Sequence, residues 1–201
     1  MSFELSLGFV ARWEQGRSDD VDDPGGRTFV GITEQSFANW LGVPLEGCQD
    51  VWTATPDQVI SFYRRYWQNS GGEGFDAIDP RLGLLMFDAA VQHSPHESVR
   101  LLQTALKGLK VDGQYGDMTH DRLMDVWNQT PDAFLHDLVD ARKDYYIAIA
   151  LKPTMTKFLG GWLNRVADCV LVANCRPEDL LPVVQAAHSH AHLPLALEGI
   201  P

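Results

Sequence analysis

The stretch Glu14–Thr33, EQGRSDDVDDPGGRTFVGIT, decides the fold of this 201-residue chain. Directly before it, the segment LSLGFVARW (5–13) carries apolar residues at helical spacing. The helical period then breaks. The glycines of Asp-Pro-Gly-Gly (23–26) permit a sharp turn, and RTFVGI (27–32) has the composition of a short extended strand. The stretch therefore predicts a first helix followed by a small β-hairpin.

Helix-start signals dominate the rest of the chain. Thr55-Pro-Asp-Gln58 is a capping box with proline at the first helical position, and Ser94-Pro-His-Glu97 repeats the pattern. Pro80 and Pro131 open two further apolar-periodic segments. The stretch QNSGGEG (68–74) predicts a surface loop. We therefore expect a mainly α fold with one small β element after the first helix.

Composition excludes several classes of function. The formal net charge of −11 argues against nucleic-acid binding, because nucleic-acid phosphates require basic patches. No run approaches the roughly 18 apolar residues of a membrane span, and MSFELSLGFVARWEQG (1–16) lacks the basic region and cleavage site of a signal peptide. We expect a chain made in the cytoplasm without membrane insertion. Cys48, Cys169 and Cys175 show no paired spacing, which predicts reduced, mostly buried thiols.

Glu14 and the acidic run after it suggest glycosidase chemistry. Hydrolysis of a glycosidic bond needs a carboxylic acid and a second polar group, usually a carboxylate. The acid must keep its proton near neutral pH, which an apolar setting or nearby negative charge favours. Glu14 follows Trp13, and Asp19, Asp20, Asp22 and Asp23 supply negative potential and partner carboxylates. The hydroxyl of Thr28 is suited to orienting a water molecule or a carboxylate.

Two other interpretations of this run remain open from the residues alone. The aspartates are compatible with a solvated acidic loop, with Glu14 an exposed residue at a helix end. They are also compatible with a calcium site, although the D-x-D-x-D-G spacing and its closing glutamate are absent. Residue types and spacing do not decide between a glycosidase, an inert loop and a metal site.

The pattern E-x-G-x6-D-P-G-G-x-T-x2-G-I-T, from Glu14 to Thr33, resembles the signature of glycoside hydrolase family 108. That family comprises N-acetylmuramidases, including phage endolysins and muramidases used in bacterial secretion. The resemblance implies that Glu14 is the catalytic acid, assisted by Asp23 and Thr28. Where the signature has a Gly-Tyr pair, this chain has Gln15 and Arg17.

The resemblance continues downstream and implies a lysozyme-like organisation. Four further stretches match family patterns: FDAAVQHS (87–94), LLQTALKGLKVDGQYGDMT (101–119), DARKDYYIAIA (140–150) and FLGGWLNRV (158–166).

The implied domain division has three parts. Residues 1–95 form a lysozyme-like catalytic region, 96–175 a helical peptidoglycan-binding region packed on it, and 176–201 a short helix and extended tail.

Aromatic side chains are the predicted sugar contacts, because sugar rings stack on aromatic faces. The candidates are Tyr115, Tyr145, Tyr146, Trp162 and Trp67, with core packing as the alternative for each. Tyr115 stands in a glycine-flanked turn, where exposure is more expected. The tail histidines, His188, His190 and His192, favour an unstructured tail over a metal site. No metal and no cofactor is expected.

The combined prediction is an N-acetylmuramidase that cleaves the β-1,4 bond between N-acetylmuramic acid and N-acetylglucosamine. A lytic transglycosylase and a non-catalytic wall-binding protein are the alternatives. The expected partner is bacterial peptidoglycan, with a holin or a secretion system providing export. We expect a monomer that acts in the periplasm or cell wall.

Overall fold

The computed structural model describes residues 3–14, 16–19 and 27–174. Within these residues the chain is mainly helical, and the first helix, α1 (Phe3–Trp13), leads into a three-stranded antiparallel sheet. The sheet consists of β1 (Arg17–Ser18), β2 (Thr28–Phe29) and β3 (Ile32–Thr33). The prediction of a mainly α fold with a β-hairpin after the first helix is confirmed, and the structure adds a third strand.

Eight further helices follow the sheet in the described residues. They are α2 (Glu34–Leu41), α3 (Pro56–Asn69), α4 (Gly72–Ile78), α5 (Pro80–His93), α6 (Pro95–Leu106), α7 (Asp117–Gln129), α8 (Pro131–Ala150) and α9 (Leu159–Ala173). Short 3-10 turns occupy Leu45–Gly47, Val51–Thr53 and Thr156–Phe158. Among these helices, none combines the length and apolar character needed to cross a lipid bilayer.

The described chain divides into two compact units, 3–65 and 66–174, at a boundary inside α3. The predicted domain division near residue 95 stays a prediction. The predicted short helix and tail at 176–201, including the three histidines, lie outside the described residues.

The first unit is organised around α1 and the small sheet. Apolar side chains of α1 are buried along nearly its whole length. In the sheet, Thr28 pairs with Ser18 on one side and with Thr33 on the other. Thr33 then caps α2, because its Oγ1 accepts a hydrogen bond from the N–H of Ser36 at 3.1 Å. The sheet thus connects the end of α1 to the rest of the unit within a few residues.

The second unit has α5 at its centre. This helix packs against α4, α6 and α9, and α8 packs against α6 and α9. Nine consecutive residues of α5, from Leu82 to Ala90, are buried. A helix that is apolar on all sides belongs in the middle of a bundle, which explains why α5 is surrounded. One charged residue, Asp88, is among the nine.

Two sequence predictions about helix ends have different outcomes. The capping box is confirmed: the N–H of Gln58 donates to Thr55 Oγ1 at 3.2 Å, and the N–H of Thr55 donates to Gln58 Oε1 at 2.8 Å. The prediction of a surface loop at 68–74 is wrong, because α3 extends to Asn69 and α4 begins at Gly72. Gly71, at φ +73°, lets the chain change direction in so short a link.

Of the three cysteines, two are described. Cys169 is buried and Cys48 is half-buried, and neither forms a disulfide. Burial raises the pKa of the Cys169 thiol, so this thiol is inert. Cys175 lies outside the described residues.

Candidate active site

Glu14 continues the last turn of α1. Its N–H donates to the carbonyl of Val10 at 2.9 Å, so the helix geometry fixes where the side chain begins. The side chain is half-buried. Its Oε2 lies against Gly31, since a Cβ built on that glycine would be 2.7 Å from this oxygen and 2.8 Å from Glu14 Cγ. The carboxyl group is therefore held against an exposed backbone turn.

The turn that receives Glu14 joins β2 to β3. Val30 and Gly31 both have positive φ, +44° and +79°, which is the signature of the two-residue turn that matches the twist of a hairpin. A β-branched residue at positive φ is strained. Two hydrogen bonds hold Val30 there: its N–H donates to the carbonyl of Gly16 at 2.9 Å, and its carbonyl accepts from the Tyr63 hydroxyl at 2.7 Å. Strained backbone positions of this kind occur most often at active sites and ligand-binding sites.

Tyr63 is a site residue that the sequence did not indicate. It projects from α3 and is buried, and its hydroxyl oxygen lies 2.7 Å from the point that a Cβ on Gly31 would occupy. Gly31 is thus flanked by the oxygens of Glu14 and Tyr63. Glu14 and Tyr63 are 49 residues apart, so no local sequence pattern links them. Only the glycine in V-G-I-T (30–33) indicates that other groups come close to the backbone at this turn.

Thr28 lies on β2 and is half-buried, in the same unit as Glu14. Its carbonyl accepts a hydrogen bond from Trp52 Nε1 at 3.2 Å. The Trp52 ring also lies near two guanidinium groups, 5.5 Å from Arg17 and 4.8 Å from Arg27. Trp52 therefore anchors the sheet through both a hydrogen bond and cation–π contacts, and no local sequence pattern indicates this role.

The acidic run is only partly described. Asp23, the predicted assisting residue, lies with Asp20 and Asp22 outside the described residues. Asp19 is exposed, and its Oδ2 lies 3.6 Å from Arg27 Nε. Arg27 also contacts Asp50, whose Oδ2 is 3.1 Å from Arg27 Nη1. The charge of Asp19 is thus offset by Arg27, and the assisting roles of Asp23 and Thr28 stay predictions.

The five predicted sugar-contact aromatics all lie in the second unit, whereas Glu14 belongs to the first. Trp67 and Tyr146 are 2% and 1% exposed, and Trp67 packs edge-on against Phe87. This burial favours the packing alternative for both residues. Tyr145 and Trp162 are half-buried around Tyr146.

Tyr115 differs from the other four aromatics. It is 40% exposed, as its glycine-flanked turn predicts. Its ring meets Phe75 edge-on at 5.0 Å, and its hydroxyl lies 3.1 Å from His120 Nδ1.

A second carboxylate, Asp88, lies in the centre of the second unit. It is 0% exposed and receives Arg142 Nη2 at 2.6 Å on one oxygen, and Arg165 Nη2 at 2.7 Å and Nε at 2.9 Å on the other. Burial alone would raise the pKa of Asp88, but the two positive charges outweigh it and the pKa lies below its ordinary value. This carboxylate is ionised and structural.

His93 borders this buried network. Its ring packs against Tyr145 at 4.8 Å and Tyr146 at 4.9 Å. Burial, with a further contribution from the Arg142 charge, lowers the pKa of His93 to about 3. Among the described residues, no cluster of His, Cys, Asp or Glu has the geometry of a metal site.

Comparison with known proteins adds to these observations. Residues 7–93 match the family model described as Glycosyl hydrolase 108, and residues 97–167 match the model described as Predicted Peptidoglycan domain. Among solved structures, SagA of Brucella abortus is similar to this chain, with a TM-score of 0.68 and 24% identity over 94% of this chain and 95% of that one. This likeness concerns the fold. Comparison with curated proteins gives no match.

Proposed function

We propose that this chain, whose residues 7–93 match the glycosyl hydrolase 108 family and whose residues 97–167 match a predicted peptidoglycan domain, is an N-acetylmuramidase. The two regions together identify a glycoside hydrolase that acts on peptidoglycan. The finer proposal is that the chain hydrolyses the β-1,4 bond between N-acetylmuramic acid and N-acetylglucosamine. The observation that carries it is the placement of Glu14 Oε2 against the exposed Gly31 turn.

In the proposed reaction, protonated Glu14 donates its proton to the bridging oxygen as the bond from that oxygen to the sugar carbon breaks. The departing sugar leaves as an alcohol, and positive charge develops on the ring of the other sugar. A water molecule adds to that carbon, and the proton that it loses restores the acid form of Glu14, directly or through solvent, so one water is consumed for each bond broken. Asp23, with Thr28, is proposed to stabilise the cation or to orient this water.

Glu14→Gln tests the proposal, because it keeps the size of the side chain and removes the acid. We expect release of soluble fragments from a peptidoglycan suspension to fall by roughly 100-fold or more. Glu46→Gln is the matched control, since Glu46 is exposed in a 3-10 turn of the same unit. Near wild-type clearing by Glu14→Gln would eliminate the proposal.

Mass spectrometry of the products tests the bond and the type of reaction. A muramidase leaves a reducing-end N-acetylmuramic acid, whereas a lytic transglycosylase leaves a 1,6-anhydro sugar, which is lighter by one water. Binding to the wall without release of fragments would indicate a non-catalytic protein.

The biological setting is proposed from the same chemistry. The chain is made in the cytoplasm and acts in the periplasm or cell wall as a phage endolysin or a secretion-associated muramidase, after passage through a holin or a secretion system. It acts as a monomer, which light scattering at a mass near 22.4 kDa would support. Lysis of a bacterium that holds the protein only in its cytoplasm would argue against this setting.

A further inference from the structure

A groove of about 350 Å³ lies in the second unit, and its lining does not include Glu14 or Thr28. One wall is the junction between α3 and α4, with Gln68, Asn69 and Gly74. The other wall carries Tyr115 and His120. The volume lies within the range of about 300–1,000 Å³ that is usual for small-molecule sites. We propose that this groove binds one N-acetylhexosamine unit of a peptidoglycan glycan strand, through residues other than those of the Glu14 cluster.

Tyr115 supplies the surface on which a sugar ring can stack. It is 40% exposed, while the edge contact with Phe75 fixes the orientation of its ring. Burial of the remainder raises the pKa of the Tyr115 hydroxyl, so this group keeps its proton at neutral pH and can donate to His120 Nδ1. Sugar rings present C–H groups to aromatic faces and hydroxyls to polar groups at the rim, and both kinds of partner are present here.

The turn that carries Tyr115 is held in place by α6. Gln103 is 2% exposed, and its Oε1 accepts hydrogen bonds from the N–H groups of Asp112 at 2.9 Å and Gly113 at 2.8 Å. Its Nε2 donates to Asp112 Oδ1 and to the carbonyl of Gln114, both at 3.0 Å. Gly113 has φ +73° and lies on the ring of His96. Because the turn is fixed before a ligand arrives, binding costs little ordering entropy.

The polar groups of the groove fit an uncharged sugar with an acetamido substituent. Gln68 and Asn69 are exposed, and their side-chain amides make no hydrogen bond to another described residue. An acetamido group has one N–H and one carbonyl, and a side-chain amide complements both. Among the described residues that line the groove, none is lysine or arginine. The carboxylates of a peptidoglycan stem peptide would therefore meet no positive partner there, which favours the glycan strand as the occupant.

The proposal needs variants that change the groove and leave the fold intact. Tyr115→Ala removes the stacking surface, and Tyr115→Phe keeps it. Gly74→Leu fills the groove, because a Cβ on Gly74 meets no atom within 4 Å and leucine suits a helix better than glycine. Gly160→Leu is the matched control: this glycine of α9 also has open space within 4 Å, and it does not line the groove.

The measurement is an amide NMR titration of the full chain with chitotetraose, a glycan without peptide, in a Glu14→Gln background. We expect shifts at Gly74, Tyr115 and His120. Tyr115→Ala and Gly74→Leu should weaken the affinity reported by these signals at least tenfold, while Tyr115→Phe and Gly160→Leu stay within about threefold. Absence of shifts at the groove, or equal affinity in all variants, would overturn the proposal.

A second titration with a stem tripeptide separates the glycan from the peptide. Shifts at the groove with the tripeptide and none with chitotetraose would also overturn the proposal. The inference rests on peptidoglycan as the substrate class and does not depend on Glu14. If Glu14→Gln still cleaves peptidoglycan, the muramidase proposal fails, while chitotetraose shifts at the groove would still support the groove proposal. If Glu14→Gln is inactive and chitotetraose causes no shifts at the groove, the groove proposal fails and the muramidase proposal stands.

Discussion

Glu14 in the first unit and Asp88 in the second are carboxylates in opposite environments. Glu14 is half-buried at an exposed glycine turn, whereas Asp88 is fully buried between Arg142 and Arg165. A carboxylate held between two guanidiniums stays ionised and does not take up a proton near neutral pH. The contrast shows that the groups around an acidic residue determine whether it is suited to catalysis or to a structural role.

The largest expected effect is on stability, from Asp88→Asn. This change keeps the shape of the side chain but removes the carboxylate charge that two buried guanidiniums, those of Arg142 and Arg165, both contact. Breaking a buried ion pair from one side costs about 3–5 kcal/mol. Chemical denaturation should show this decrease in the free energy of unfolding, whereas Glu14→Gln should change it by less than about 1 kcal/mol.

Asp132→Asn is the matched control for Asp88→Asn. Asp132 also pairs with an arginine, Arg81, at 2.8 Å, but its side chain is 78% exposed. An exposed pair contributes only about 0–1 kcal/mol. If both variants lost the same free energy of unfolding, burial would not determine how much a carboxylate–arginine pair contributes to stability, and this interpretation of Asp88 would be wrong.

The next effect is on activity, from Gly31→Ala. A Cβ at this position would lie 2.7 Å from both Glu14 Oε2 and Tyr63 Oη, so the carboxyl group has to move. Displacement of a catalytic group by about 1 Å can lower the rate roughly 100-fold. We expect a loss of this order in fragment release, measured with the purified variant on a peptidoglycan suspension.

Gly42→Ala is the control that separates the backbone strain caused by Gly31→Ala from its crowding of Glu14. Gly42 has a similar φ of +74°, but a Cβ there meets no atom within 4 Å. Both variants place alanine in the left-handed region and share its strain of about 1–2 kcal/mol. Only Gly31→Ala crowds Glu14, so comparable activity in both variants would remove Gly31 from the site.

The sequence predicted local features well and long-range partners poorly. The hairpin after α1 and the Thr55–Gln58 capping box follow from residues close in the chain. The turn predicted at the glycines of 23–26 lies outside the described residues. The turn that receives Glu14 uses Val30, whose branched side chain disfavours positive φ. No propensity indicates such a strained position, because tertiary hydrogen bonds impose it: the Val30 N–H donates to the carbonyl of Gly16, and the Val30 carbonyl accepts from the Tyr63 hydroxyl.

The motifs of the second unit show the same limit. FDAAVQHS, DARKDYYIAIA and FLGGWLNRV were recognised as separate stretches, yet Asp88, Arg142 and Arg165 from these three form one ion-pair cluster. The partners are 54 and 77 residues from Asp88 in the chain. Periodicity indicates which face of a helix is buried, but it does not tell which charge meets which.

This cluster also joins the two family regions. Asp88 belongs to the range that matches the hydrolase family, and both arginines belong to the peptidoglycan range. They meet inside one compact unit. The peptidoglycan region therefore shares a core with α5 and is not an independently attached module.

The smallest effect concerns the pH dependence of stability and arises from His93. Its pKa of about 3 in the folded chain lies below the ordinary 6.5, so below pH 6.5 the unfolded chain binds a proton that the folded chain does not. Stability should therefore fall as the pH is lowered from about 6.5 toward 3, with a slope of at most about 1.4 kcal/mol per pH unit. His93→Phe keeps a ring between the two tyrosines and should remove this slope.

Asp88 does not interfere with this measurement, because its lowered pKa affects stability only at a lower pH than that of His93 does. The stability that it provides is complete above its ordinary pKa of 3.8 and is lost only as the pH falls through the still lower folded value. Denaturant unfolding between pH 6.5 and 4 thus isolates His93. His96→Phe is a histidine control from the next helix. An unchanged slope in His93→Phe between those pH values would show that burial, together with the nearby Arg142 charge, does not keep this ring neutral.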